Sequence, residues 1–399
     1  MNARPQEAYI VAAQRLPVGR RNGVFAHVRP DDMLAHALRT VLAQAPGLDA
    51  NEIDDVIVGC AMPEAEQGMN VARIGLLLAG LPERVPGYTL NRFCASGLQA
   101  IADAAQRIRL GEADVVLAGG TETMSLMSQL MGNKLAINPR LFEPDGPRAI
   151  AYGMGLTAET VATRWKVARE AQDDFAAASH AKALAAQASG HFRVEITPYT
   201  VRVRAPGGGD GMIRSHERVV DADEGPRADS TPEKLAALKP VFAAEGSVTA
   251  GNSSQMSDGA AALLLVSEAA LKRYALTPLA RFVAYAVAGV APEVMGIGPV
   301  EAIPRALARA GLRLDDLDWI ELNEAFAAQA LAVIECLGLN PERVNPLGGA
   351  IALGHPLGAT GAIRSATLLH GLRRTGGRYG MVSMCIGTGM GAAGIFEAL

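Results

Sequence analysis

The chain has 399 residues, 49% hydrophobic and 20% charged, and its 37 basic and 41 acidic residues leave a formal net charge of -4. That length exceeds one ordinary core and calls for two or three domains. The composition is that of a soluble globular protein, and the near-balanced charge removes any ground for nucleic acid or an anionic membrane as partner.

In chain order, the opening Met1-Asn2-Ala3-Arg4-Pro5 lacks a signal-peptide pattern. A short apolar strand is expected at 8–12, then a helix over 31–45 with Pro30 suited to its start. Buried strands follow at 55–59 and 88–91, the second running into Cys94. Leu98, Ile101, Ala105 and Ile108 recur at helical spacing, and Gly111 marks the end of that helix. A strand at 115–118 stops at Gly119-Gly120. The stretch 124–250 is rich in Pro, Gly and charge, with Gly207-Gly208-Gly209-Asp210-Gly211 at its centre and an amphipathic helix over 172–188. It reads as an insertion that covers the first half.

A similar order then returns. The apolar strand at 279–287 is like the first one, and the apolar stretch 282–291 is about half of the roughly 18–20 residues that a membrane span needs. A helix near 302–310 and a strand at 317–322 follow. Pro341-Glu342-Arg343-Val344 repeats Pro82-Glu83-Arg84-Val85. After each copy come a small-residue turn with a candidate catalytic residue, a helix, and a strand ending in glycines. This matching order points to an internal duplication. The final Phe396-Glu397-Ala398-Leu399 carries no peroxisomal address. Four cysteines do not make a disulfide framework, so a reducing cytoplasm is the expected compartment.

Three side chains invite a chemical reading. Cys94 follows a strand and opens a helix, where unpaired N–H groups and the helix dipole are expected to lower a thiol pKa. Read alone, such a cysteine is more often a buried small hydrophobe. His355 lies among glycines at 348, 349, 354, 358 and 361, which suit unusual backbone angles and close approach of a ligand; a solvated loop histidine is the plain alternative. Cys385 ends an apolar strand and enters Gly387-Thr388-Gly389-Met390-Gly391, which fits neither the dinucleotide fingerprint nor a phosphate loop with its lysine. Asn323 is expected to begin a helix at Glu324, where a plain N-cap would serve as well. Cys60 and Cys336 are assigned to packing. The histidines at 27, 36, 180, 191, 216 and 370 are assigned to surface or satisfied core. No Cys/His cluster has metal-ligand spacing, and Asp221-Ala222-Asp223-Glu224 reads as a solvated loop, so no metal is expected.

Together these segments resemble the thiolase family through essentially the whole chain. Asn91-Arg92-Phe93-Cys94-Ala95-Ser96-Gly97 is similar to its nucleophile motif, Asn323-Glu324-Ala325-Phe326-Ala327 to its asparagine motif, Gly348 to Gly358 to its histidine motif, and Cys385 to Gly391 to its second-cysteine motif. The resemblance implies an α/β fold of five layers, αβαβα, with two duplicated halves and an inserted loop domain. The implied division is 1–123 with 251–278, then 124–250 as the coenzyme A cover, then 279–399. It further implies that His355 takes the Cys94 proton and that the thiolate attacks the 3-keto carbon of a 3-oxoacyl-CoA. Cys385 then serves as acid and base. Asn323 places a water that, with His355, holds one oxyanion, while the backbone N–H groups of Cys94 and Gly387 hold the other.

Arg227 and Ser254 match coenzyme A contacts of the family, and Met154 matches the residue that closes its acyl pocket. Coenzyme A is a co-substrate, and no permanently bound cofactor is implied. Asn252-Ser253-Ser254-Gln255, Gly153-Met154-Gly155 and Asn91-Arg92-Phe93-Cys94 look more like degradative 3-ketoacyl-CoA thiolases than short-chain biosynthetic members. An acetoacetyl-CoA thiolase working in condensation, a ketoacyl synthase and a non-enzymatic acyl-CoA-binding relative are the competing readings. A homodimer or homotetramer is expected, with a hydratase–dehydrogenase enzyme left open as a partner.

Overall fold

Period-2 patterning with apolar residues on both faces gives strands that need cover on two sides. The computed structural model describes residues 6–127, 138–143, 148–206 and 213–399. The opening pentapeptide and the Gly207–Gly211 cluster therefore lie outside the described residues. The first half runs β1 (Ala8–Arg15), β2 (Gly19–Arg20), α1 (Pro30–Ala43), β3 (Asp55–Gly59), α2 (Val71–Leu78), β4 (Gly87–Leu90), α3 (Ser96–Arg109), β5 (Val115–Thr123) and the single turn α4 (Met124–Met127). The insertion holds α5 (Met154–Arg164), α6 (Arg169–Ala188), the hairpin β6 (Tyr199–Pro206) with β7 (Ile213–Val220), and α7 (Pro232–Ala236). The chain returns through β8 (Ser257–Ser267) and α8 (Glu268–Arg273). The second half runs β9 (Ala280–Gly289), α9 (Gly298–Ala310), β10 (Trp319–Leu322), α10 (Ala327–Leu337), α11 (Ala350–Leu353), α12 (Leu357–Thr375), β11 (Tyr379–Ile386) and β12 (Met390–Ala398). No described helix is long and apolar enough to cross a membrane.

The two halves follow one pairing rule. In the first, the order is β1-β8-β5-β3-β4; in the second it is β9-β12-β11-β10, with a parallel bridge from Ile320 to Val344 standing where β4 would be. Antiparallel pairs join β1 to β8, β8 to β5, β9 to β12 and β12 to β11, while β3 and β10 pair in parallel with β5 and β11. β1 meets β9 at Tyr9–Arg281 and Ile10–Ala280, which links the halves. Small details repeat as well. The Asp54 carboxylate accepts from the N–H groups of Asp114 (2.7 Å) and Val115 (3.0 Å) at the start of β5. Asp318 accepts from Arg378 (2.7 Å) and Tyr379 (3.1 Å) at the start of β11. The repeated tetrapeptide ends each time in a buried valine, Val85 or Val344.

Alternation along the strands sorts their side chains into layers. Ala260, Ala262, Leu264 and Val266 of β8 pack with Val56, Val58, Val115 and Leu117 against α1 and α2. The intervening Ala261, Leu263 and Leu265 face the middle layer with Ile57, Val116 and Ala118. From the other side β11 sends Val382, Met384 and Ile386 to that middle layer, and Met381 outward with Ala393 and Ile395 against α9 and α10. The middle layer is α3 and α12, which supply Leu98, Ile101, Ala105, Ile363, Ala366 and Leu369. Five layers result, helix, sheet, helix, sheet, helix, as expected.

Candidate active site

Glycine brings the two middle helices together at their N-terminal ends. A Cβ on Gly361 would lie 2.3 Å from the Leu98 nitrogen, and one on Gly97 would lie 2.8 Å from the Ala362 nitrogen. A Cβ on Gly120 would lie 2.3 Å from the Gly358 oxygen, and one on Gly59 would lie 2.3 Å from the Ser96 carbonyl carbon. This corrects one expectation from the sequence. Gly358 and Gly361 are small because backbone meets backbone there, and not because a ligand approaches. Gly354, at φ +93°, does hold a left-handed angle next to His355.

Cys94 sits in a 3₁₀ turn, Phe93–Ala95, between β4 and α3. Phe93 takes φ +45°, a strained angle for a residue with a side chain. Its neighbours hold it there. The Asn91 Oδ1 accepts from the Phe93 N–H (2.8 Å), and the Ser96 hydroxyl donates to the Phe93 carbonyl (2.7 Å) while accepting from the Arg92 N–H (2.8 Å). Thus Asn91 and Ser96 of the nucleophile motif shape the turn that presents the thiol. Cys94 itself keeps part of its surface open. The packing around its sulfur nonetheless pushes the thiol up to about 11, against the Gly387 and Cys94 backbone N–H groups that favour thiolate. The expected lowering by the helix terminus is therefore outweighed by burial.

His355 lies between α11 and α12 and is 4% exposed. The Thr360 hydroxyl donates its single proton to the Pro356 carbonyl (3.0 Å), so it receives one from His355 Nδ1 (2.7 Å). The neutral ring consequently carries its lone pair on Nε2. The Asn323 Nδ2 lies 3.3 Å from that nitrogen and donates to it. Burial, with Arg364 adding to it, lowers the imidazole to about 4. At neutral pH it is an unprotonated base.

Asn323 directly follows β10, and its N–H bonds to the Ser383 carbonyl (2.9 Å), two residues before Cys385. The helix expected from Glu324 begins only at Ala327, with Phe326 as its N-cap. Glu324 is buried instead and binds the Ser179 hydroxyl (2.7 Å), the Asn345 side chain (2.8 Å) and the Ile351 N–H (3.2 Å). These bonds clasp the asparagine segment to the turn that leads into His355. The Asn323 Oδ1 is buried without a protein partner, which suits a polar atom that holds a water or substrate group. Cys385 is fully buried near the end of β11. Burial and then the neighbouring Cys94 push its thiol well up.

Glu122 adds a contact between halves. At the end of β5, it accepts from the N–H groups of Ala61 (2.7 Å), Met62 (3.3 Å) and Gly358 (2.8 Å) and from the Gln67 side chain. Cys60 is buried beside it, as the packing assignment expected. Cys336 is not: it is exposed on α10, outside any apolar cluster. Helical periodicity turns that position to the surface although the local sequence is apolar. His370 is a satisfied core residue, bonded to the Ala13 carbonyl (2.9 Å).

A cleft of about 460 Å³ is lined by His180, Arg227, Lys234, Leu235, Ser253 and Gln255 among others. Arg227 is among the residues that line it. Ser254 lies between two lining residues, with its N–H on the Ala325 carbonyl (2.9 Å), next to the asparagine motif. The Gln255 side chain is engaged by the backbone of neighbouring segments. Its amide nitrogen reaches the carbonyls of Gly225 (3.1 Å), Ile351 (2.9 Å) and Ala352 (3.1 Å), and its own carbonyl receives the His355 N–H (3.1 Å). Met154 opens α5 at 37% exposure, its sulfur 3.5 Å from where a Cβ on Gly387 would stand. Among the described residues no group of three or more His, Cys, Asp or Glu side chains is placed to hold a metal ion.

Thr360 and Glu122 carry no motif signal in the sequence, although Thr360 lies two residues beyond the histidine motif. Glu324 stands within the asparagine motif with no separate role read for it, and His180, read as surface or satisfied core, is buried in the lining of the cleft.

Comparison with known proteins points to one family. The model of the thiolase N-terminal domain matches residues 8–269, and that of the thiolase C-terminal domain matches 276–398. A 3-ketoacyl-CoA thiolase of Bacillus subtilis (strain 168) is 51% identical over 395 residues, 98% of this chain and 99% of the relative. A beta-ketoadipyl-CoA thiolase of Pseudomonas aeruginosa is 46% identical over 407 residues, 97% of this chain and 98% of the relative. The crystal structure of the Bacillus anthracis acetyl-CoA acetyltransferase superposes with a TM-score of 0.88 at 41% identity, covering 99% of each chain.

Proposed function

The chain belongs to the thiolase family, and from that membership we propose that it is a 3-ketoacyl-CoA thiolase acting as a degradative acyltransferase. The observation that carries the proposal is the meeting of residues from four distant segments. Asn323 lies against His355, Gly387 offers its N–H to the Cys94 thiol, and Cys385 lies close enough to Cys94 to feel its charge.

With Cys94 near 11 and His355 near 4, the neutral thiol–imidazole pair is the resting form. The proton therefore moves to His355 Nε2 as the sulfur attacks the 3-keto carbon. The protonated ring then has an N–H to give the oxygen on which charge develops. The bond between carbons 2 and 3 breaks, its electron pair leaves as the acetyl-CoA enolate, and Cys385 protonates that carbon. The Cys385 thiolate next takes the proton of incoming coenzyme A. The coenzyme A sulfur attacks the acyl-Cys94 thioester, whose oxyanion is held by the N–H groups of Cys94 and Gly387. Cys94 leaves as thiolate and recovers its proton from His355, and a shortened acyl-CoA departs. The reverse sequence is a Claisen condensation.

Coenzyme A would lie in the cleft with Arg227 and Ser254, and Met154 would border the acyl group. The relative named for 3-ketoacyl-CoA at 51% identity supports the degradative reading. The 41% identical acetyl-CoA acetyltransferase structure supports the second reading, a condensing enzyme for short chains. The proposal includes the division 1–123 with 251–278, 124–250 and 279–399, a homodimer or homotetramer, and a cytoplasmic compartment, to which the four free cysteines lend support. Cleavage rates across a series of 3-oxoacyl-CoA chain lengths test it. Activity on six carbons and longer is expected, and confinement to acetoacetyl-CoA would sink the degradative reading. Intact mass after mixing with acyl-CoA should show one acyl group, on Cys94.

A further inference from the structure

We propose that Glu122 is a positioning residue for the reaction: its buried carboxylate ties the turn that presents Cys94 to the helix that follows His355, and so sets the reach from thiol to base. The inference rests on the reading of Cys94 as nucleophile and His355 as base. Glu122 lies near the end of β5 and is fully buried. Its Oε2 bridges the two halves by itself. It accepts the Ala61 N–H (2.7 Å) from the first and the Gly358 N–H (2.8 Å) from the second. Oε1 accepts the Met62 N–H (3.3 Å) and the Gln67 amide, and the Cys60 thiol donates toward it at 3.8 Å. Burial raises the pKa of this carboxyl, and the backbone and Gln67 donors oppose the rise. Every neighbour that bonds it is a donor, so the group is held as the carboxylate.

From Glu122 the bonds run on toward both reacting groups. The Cys60 N–H bonds to the Leu90 carbonyl (3.0 Å), and the Ala61 carbonyl accepts from the Asn91 amide (3.0 Å). The same Asn91 side chain fixes Phe93 at the head of the Cys94 turn. On the other side, Gly358 is the second residue of α12, whose own N-cap, Pro356, supplies no side-chain cap. Glu122 supplies one from the other half of the chain, where a helix leaves N–H groups free and favours negative charge. His355 stands three residues before Gly358, and Thr360, which receives its Nδ1 proton, stands two after. A Cβ on Gly358 would lie 2.7 Å from the Ala61 nitrogen and 2.8 Å from Glu122 Oε2, so the two segments meet with no side chain between them. Glu122 is not among the residues that line the cleft read as the coenzyme A site. Its charge also reaches the nucleophile: burial first, and the Glu122 carboxylate as well, disfavour the Cys94 thiolate.

Two substitutions separate reach from charge. Glu122→Gln keeps the length and removes the charge, and its amide nitrogen faces N–H groups that it cannot accept. Glu122→Asp keeps the charge but is one methylene too short to hold Ala61 and Gly358 together. In both, kcat for CoA-dependent cleavage of a 3-oxoacyl-CoA should fall roughly 10- to 100-fold, the size expected when a hydrogen bond to a charged group is lost and a nucleophile and base are misplaced. KM for both substrates should stay within about threefold. Alkylation of Cys94 by iodoacetamide at pH 9, followed by peptide mass, should be at least about twofold faster in E122Q and parental in E122D. A more reactive thiol in a slower enzyme marks misplacement, and a merely structural role does not produce it. Urea unfolding shows that each variant is folded, and E122D decides the matter where E122Q does not fold. A folded variant with kcat within twofold of the parent, a loss carried wholly by KM, or alkylation of E122Q no faster than the parent's would overturn the inference. Absence of 3-oxoacyl-CoA cleavage by the parent would instead overturn the functional reading, and the alkylation rates would still report on Glu122.

Discussion

Thr360→Val tests the base assignment at a residue that no motif marks. The threonine hydroxyl is 2.7 Å from His355 Nδ1, and valine matches its shape, so the substitution opens no cavity. The Pro356 carbonyl loses one donor but keeps the N–H groups of Ala359 (2.8 Å) and Thr360 (3.0 Å). The net deficit is one buried N–H. Leaving such a group unpaired costs about 1–3 kcal/mol. The ring escapes that cost only by moving its proton to Nε2, where it faces the Asn323 amide and can no longer accept from Cys94. That shift depletes the base-competent form, by about 5- to 150-fold at 1.4 kcal/mol per decade. The assay is kcat/KM for CoA-dependent cleavage of a 3-oxoacyl-CoA, with urea unfolding to show that the fold persists. Thr360→Ser, which restores the hydroxyl, should recover most of the rate. A valine variant within twofold of the parent would refute the tautomer derived from this geometry.

Cys385→Ser should retain part of the acylation of Cys94, read by intact mass, while carbon–carbon cleavage falls by at least about a hundredfold for want of a general acid of suitable pKa. Equal loss of both steps would remove the role given to Cys385. Gly361→Ala adds a Cβ 2.3 Å from the Leu98 nitrogen. Despite alanine's better helix propensity it should destabilise the protein by about 1–3 kcal/mol in urea, because neither backbone can yield locally. The acid limb of kcat/KM should lie near pH 4, because burial depresses His355 to that value from the ordinary 6.5. The unfolded chain binds the proton first as pH falls, so this histidine's contribution to stability is full above pH 6.5 and lost on the way down to 4. A rate decline centred near pH 6.5 would show an ordinary imidazole instead.

Some of this protein was decided by local sequence. Alternating apolar residues set the strands, and Pro30, Gly111 and the spacing from Leu98 to Ile108 set two helices, because these signals act within a few residues. The duplication was legible for a similar reason: equivalent strands need equivalent patterns, down to Asp54 and Asp318 at matching starts. The four motif segments were legible because they resemble those of the family to which the chain belongs. The rest depended on groups remote in sequence. Burial overrode the helix terminus at Cys94, since desolvation depends on the whole surrounding shell and not on chain neighbours. Glycines that read as room for a ligand proved to be room for a second helix. The tautomer of His355, the grip of Glu324 on the histidine turn and the Glu122 contact between halves all arise from contacts made only when distant segments pack. Sequence determined which residues could do the chemistry, and tertiary packing decided which proton each of them holds.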